Sequence, residues 1–121
     1  MPATSADSAY LAGWLQRAEA DAETAANWRA AIWPQLGEVA KVLVAQGAKR
    51  VILLGSLARD EASSGSDIDL WVEGLPAAQW LAASVAVGRL VPMAPVDIVR
   101  AETAGATLAA RAAAEGRVLY G

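Results

Sequence analysis

The stretch Gly55-Ser56-Leu57-Ala58-Arg59-Asp60-Glu61-Ala62-Ser63-Ser64-Gly65-Ser66-Asp67-Ile68-Asp69-Leu70-Trp71-Val72 decides how this chain folds. Just before it stands Val51-Ile52-Leu53-Leu54, a short apolar run stopped by Gly55. Such a run reads as a buried strand. A loop rich in Ser, Gly and Asp follows. From Asp67 to Val72 polar and apolar residues alternate, the pattern of a second strand. Strand residues two apart share a face. Asp67 and Asp69 therefore project side by side, while Ile68, Leu70 and Val72 turn to the core. Two adjacent carboxylates repel, and keeping both ionised at a half-buried place calls for a cation; the alternative is that one takes up a proton.

Val96-Asp97-Ile98-Val99 repeats the pattern after Pro92 and Pro95. Val96 and Ile98 are expected to face the core, so Asp97 faces the other way. If the two strands are neighbours, three carboxylates meet on one face. That set suits one or two Mg²⁺ ions, which keep several waters and also bind substrate phosphates. Gly55 lets backbone N–H groups approach a phosphate, and the Ser56 hydroxyl can donate to it. Arg59 can add a charge-assisted contact; its structural alternative is a surface pair with Asp60 or Glu61.

On the N-terminal side, Leu11, Leu15, Ala18 and Ala22 recur at helical spacing. Pro34 then breaks or restarts the pattern. Leu36, Val39, Ala40, Leu43 and Val44 mark a second helix, with Gly47 as its stop. On the C-terminal side a helix is expected over about residues 77–88. A last helix starts at Thr103 or Thr107 and runs to Gly116, and residues 117–120 close the chain. The order helix, helix, strand, loop, strand, helix, strand, helix is that of an α/β domain, a small sheet covered by helices.

The 121 residues make one compact domain. More than half are apolar and 19% are charged, which marks a globular chain. Much of the apolar content is Ala, so Leu, Val, Ile and the five Trp must supply the core. The net charge of −3 argues against nucleic acid as the main ligand. No Cys or His is present, which excludes disulfides, thiol catalysis, Ser-His chemistry and the usual zinc sites. A metal here would be a hard cation with oxygen ligands, Mg²⁺ or Mn²⁺. The N-terminus lacks a secretory pattern. The most apolar stretch, Leu75 to Val91, is interrupted by Pro76, Gln79, Ser84, Gly88 and Arg89 and does not span a bilayer. A cytoplasmic location is the expectation.

Taken together, these residues make the sequence resemble the nucleotidyltransferase superfamily with the DNA polymerase β-like catalytic fold. The carrying motif is Gly-Ser, ten residues, then Asp-x-Asp: Gly55-Ser56, LARDEASSGS, Asp67-Ile68-Asp69. The later Pro95-Val96-Asp97-Ile98-Val99 and the ending EGRVLYG fit in kind and order, so the resemblance covers roughly residues 34–120. It implies a polymerase β-like core over residues 34–121, with a small mixed β-sheet packed by helices, and an N-terminal helical extension over residues 1–33. It implies that Gly55 and Ser56 bind a triphosphate. It implies that Asp67 and Asp69 bridge two Mg²⁺ ions, and that Asp97 completes the nucleophile-side metal site and helps remove the acceptor's proton. The implied reaction is in-line attack of an acceptor hydroxyl on the α-phosphorus of a nucleotide, ATP by resemblance. Leu57 and Asp60 depart from the pattern, standing where many small members carry a polar residue and Gly.

The chain is also similar in size to the minimal nucleotidyltransferases (MNT) that pair with helical HEPN proteins. Some of those pairs act as toxin and antitoxin, the MNT member adenylylating a HEPN tyrosine. That resemblance implies a HEPN-type partner and protein adenylylation. The alternatives are a small-molecule nucleotidyltransferase acting on an antibiotic or metabolite, and a non-catalytic binding antitoxin or assembly module. Homo-oligomerisation is left open. Trp14, Trp28 and Trp33 are expected to pack in a core or between helices, or to form a partner interface if exposed. Trp71 shares strand parity with Asp69, so it lies either near the nucleotide or under the following helix.

Overall fold

The structure, a computed structural model, describes residues 4–121. Helix α1 spans Thr4–Ala45. Its composition favours helix: it is rich in Ala and has no run of β-branched residues. Trp28, Ile32, Leu36, Val39 and Leu43 recur every three or four residues, and all are buried. Each large aliphatic side chain among them contributes about 1.5–3 kcal/mol on burial. The helix ends at Gly47, whose φ is +112°. The Ala48 N–H donates to the Leu43 carbonyl at 2.9 Å and the Gly47 N–H to the Val44 carbonyl at 3.0 Å. These are the two bonds of a Schellman cap, which satisfies the last carbonyls of the helix.

The division expected at Pro34 does not occur. Pro34 lies inside α1, and the 33/34 boundary falls within one continuous helix. Proline removes one backbone donor and crowds the preceding turn. Pro34 is exposed, while Ile32 and Leu36 on either side are fully buried. Core packing on that inner face holds the helix through the defect.

After α1 come strand β1 (Arg50–Leu54), a single helical turn α2 (Gly55–Ala58), strand β2 (Ile68–Glu73) and helix α3 (Ala77–Leu90). Strand β3 (Val96–Arg100), a 3₁₀ turn (Ala101–Thr103), helix α4 (Ala106–Glu115) and strand β4 (Arg117–Tyr120) complete the chain. The four strands lie in the order β3-β2-β1-β4. β1 pairs antiparallel with β2 and with β4, whereas β2 and β3 run parallel, with α3 between them in sequence. The sheet is therefore mixed, as expected.

The alternation read from the sequence places the two faces. Ile68, Leu70 and Val72 are fully buried in the main core with Val51 and Leu53, against α1 and against Ala83 and Val87 of α3. The opposite face carries a smaller cluster of Ile52, Leu54, Trp71 and Ala112, with Leu108 and Ala109 of α4 packed on it. Trp71 does share the face of Asp69. It packs with the α4 side and not under α3, because α3 covers the other face; its indole N–H donates to Glu73 at 3.2 Å.

Candidate active site

Asp69 and Asp97 are register partners across the parallel pair β2–β3. The two strands are neighbours, which the sequence had left conditional. Ile98 is buried and Val96 packs against the main core, so Asp97 is turned to the α4 face beside Asp69. Leu54, the last residue of β1, is the register partner of Asp69 on its other side. Gly55 follows directly with φ +77°, and a Cβ there would lie 3.0 Å from Asp69 Oδ2. Glycine at 55 thus serves two needs, a left-handed backbone and a bare approach to the carboxylate.

These residues line a cavity of about 400 Å³ between the sheet and α4. Gly55, Asp69 and Asp97 form its sheet side; Leu108, Arg111 and Glu115 of α4 form the opposite wall, with Arg59 at the end of α2. Asp69 is half-buried, while Asp67 and Asp97 are exposed. Burial raises the Asp69 pKa above the ordinary carboxylate value, and the charges of Asp97 and then Asp67 push it the same way. The site is therefore an acidic pair, with a third acid near enough to be felt, and Asp69 bears the repulsion of the other two. Asp67 stands just ahead of β2 and is not part of the cavity lining. Among the described residues, no three Asp, Glu, His or Cys side chains are drawn together closely enough to hold one ion. The donor set still fits a hard cation, since it is all carboxylate and its central member is strained by charge.

Arg59 takes the surface alternative in part. Its Nε donates to Glu61 at 3.1 Å and its Nη1 to Glu115 at 3.3 Å, and both acids raise its pKa. It nevertheless borders the cavity. Ser56 sits in the first turn of α2, half-buried, and α2 has no side-chain cap, so its first-turn N–H groups carry no side-chain acceptor. Leu57 is fully buried in the main core, so this departure is turned away from the cavity. Asp60 has φ +59°. That left-handed backbone suits Gly best and Asp or Asn next, and the carboxylate is engaged by Arg117 at 2.7 Å.

Arg111 and Glu115 escaped the sequence reading. Arg111 makes no salt bridge among the described residues, which leaves its guanidinium available to a polyanion in the cavity. The signal was the helical spacing of Leu108, Arg111, Ala112 and Glu115, which puts all four on one side of α4.

No curated protein matches the chain. Its fold is similar to a toxin–antitoxin structure with AMP-PNP, at TM-score 0.62 and 22% identity, covering 69% of this chain and 70% of that one. It is also similar to the tri-AMPylated Shewanella oneidensis HEPN toxin in complex with MNT antitoxin, at TM-score 0.56 and 21% identity, covering 72% and 71%. The toxin-antitoxin MntA-HepT gives TM-score 0.56 at 21% identity, covering 72% of each chain. At these identities the likeness is one of fold. The profile of the family described as Polymerase beta, Nucleotidyltransferase matches residues 38–121, which hold every strand and the whole cavity. The chain belongs to that family of nucleotidyltransferases.

Proposed function

We propose that this cavity binds ATP with Mg²⁺ and transfers AMP to a hydroxyl of a helical partner protein of the HEPN kind, a tyrosine by analogy. The observation that carries the reading is the register pair Asp69–Asp97 set beside Gly55 on the sheet side of the cavity, with Arg111 of α4 on the opposite wall. Asp69 and Asp97, with Asp67 swung in from its exposed position, would hold the metal. Bound there, Mg²⁺ would neutralise the carboxylates and draw charge from the triphosphate.

The chain's own groups have separate tasks. Gly55 and the uncapped N–H groups of α2 receive phosphate oxygens. Arg111 and Arg59 supply positive charge along the triphosphate. Asp97 faces the acceptor hydroxyl and takes its proton. The acceptor oxygen forms a bond to the α-phosphorus, the bond from that phosphorus to the bridging oxygen breaks, and pyrophosphate leaves. Positioning and charge neutralisation account for most of the acceleration in such a transfer. The HEPN partner and an antitoxin role rest on the fold likeness to the MNT–HEPN complexes.

The test is intact-mass analysis of candidate HEPN protein incubated with this chain, Mg²⁺ and each nucleoside triphosphate in turn. The expected result is a gain of one or more AMP units, with Asp69→Asn giving at least about a hundredfold less. Addition to a small molecule, with no gain on protein, would move the acceptor to an antibiotic or metabolite. Neutralisation of the toxin by Asp69→Asn, with no transfer, would reduce the chain to a binding antitoxin.

A further inference from the structure

Asp60 stands where its backbone asks for glycine. The turn after α2 closes as a Schellman cap: the Glu61 N–H donates to the Ser56 carbonyl at 2.8 Å and the Asp60 N–H to the Leu57 carbonyl at 3.1 Å. Asp60 holds the left-handed position of that cap, at φ +59°. A side chain there carries a cost that glycine avoids. What this side chain gains is Arg117, whose Nη2 donates to its Oδ2 at 2.7 Å. The Arg117 guanidinium in turn lies 5.4 Å from the centroid of the Trp33 ring, within cation–π range, and Trp33 packs against the main core.

The residue before Asp60 reaches the same corner, Arg59 Nη1 donating to Glu115 at 3.3 Å. Arg59 and Asp60 thus meet Glu115 and Arg117 with opposite signs. A slip that set Arg59 on Arg117, or Asp60 on Glu115, would bring like charges together. Gly116, between Glu115 and Arg117, has no room for a Cβ, which would overlap Ile52 and the Ala112 carbonyl. The corner between α4 and β4 is therefore pressed on the sheet and clasped to the turn that carries Arg59. Apart from this clasp α4 is lightly held: Ala112 is its one buried residue, with Leu108 and Ala109 partly covered. Yet α4 is the cavity wall that bears Arg111. We propose that Asp60 and Arg117 are positioning residues of the nucleotide site. Through the clasp they hold Arg59, on the α2 turn, and Arg111, on α4, at the spacing that lets both cations serve one triphosphate; this rests on the nucleotide reading of the cavity. Neither Asp60 nor Arg117 lines the cavity, and both are exposed, so their pair acts on position and adds little to stability.

Charge alone predicts the opposite, since removing an acid near a polyanion's site tightens binding. The test is calorimetric titration of the full chain with ATP and Mg²⁺. Asp60→Asn keeps a residue that tolerates the left-handed backbone and removes only the charge. It is expected to weaken binding by at least about threefold, with the melting temperature little changed. Asp60→Gly should weaken it as much, although the backbone then fits better. Arg117→Gln should also weaken it, and the double variant Asp60→Asn/Arg117→Gln should be no weaker than Arg117→Gln alone, because both act through one pair. Glu38→Gln, which breaks the exposed Glu38–Lys41 pair on α1, should not weaken binding. Unchanged or tighter binding by Asp60→Asn overturns the proposal, as do additive losses in the double variant. A parent chain that binds no ATP with Mg²⁺ overturns the nucleotide reading itself, and the clasp's role with it; a parent that binds, with variants that match it, sinks the clasp alone.

Discussion

Gly55 carries more constraint than any other residue of the site. Its φ of +77° costs a side-chain-bearing residue about 1–3 kcal/mol. Any Cβ would press on Asp69 Oδ2 as well. Gly55→Ala should therefore lower unfolding free energy by about 1–3 kcal/mol in urea titration and weaken nucleotide binding further, because Asp69 must move. Asp69 itself gives a pH signature. Its folded pKa is raised, so the folded state holds that proton more tightly than the unfolded chain. The contribution is fully favourable below the ordinary Asp value of about 3.9 and is lost as pH rises through the raised one. In metal-free buffer, Asp69→Asn should melt above the parent at neutral pH and converge with it near pH 3–4. Equal melting at both pH values would mean that charging Asp69 costs nothing. Gly55, Asp69 and Asp97 were legible because strand parity and spacing are local properties of sequence. Arg111 was not, since its place at the cavity depends on which side of α4 meets the sheet, a matter of packing.

Pro34 shows why an element's extent is harder to read than its presence. The residue weakens a helix by itself, and only the buried neighbours Ile32 and Leu36 reveal that α1 continues. Pro34→Ala restores the missing donor on the exposed side and should stabilise the domain by about 1–3 kcal/mol, read as a higher urea midpoint with unchanged activity. An unchanged midpoint would show that α1 already adapts to the proline at no cost. The strands were legible to within a residue or two, because Val51–Leu54, Ile68–Val72 and Val96–Val99 carry their burial pattern in their own sequence. The turn α2 was not, since four residues are too few to show a helical period. Nor was the pairing of β4 with β1, a long-range contact that Arg117–Tyr120 does not announce.

At the scale of the whole molecule, the charge pattern couples the two ligands of the proposed function. The domain is acidic overall, at −3, and the cavity places Asp69 and Asp97 opposite Arg111. A polyanionic triphosphate alone meets the carboxylates and is repelled. Mg²⁺ alone meets acids that are not closed into a ligand shell, and keeps most of its water. On the proposed function, each would supply what the other lacks: the ion would neutralise Asp69 and the phosphates would complete its coordination. Stabilisation by a ligand at a hundred times its Kd is about 2.7 kcal/mol, which for a domain of this size raises Tm by roughly 10 °C. Thermal melting should show a shift of that order with Mg²⁺ and ATP together, and a combined shift larger than the sum of the two alone. Asp69→Asn and Asp97→Asn should each abolish the excess, whereas Val118→Asp, at an exposed position of β4 outside the cavity lining, should keep it. An ATP shift of equal size in EDTA would remove the metal from the site, and with it the role assigned to the aspartate pair.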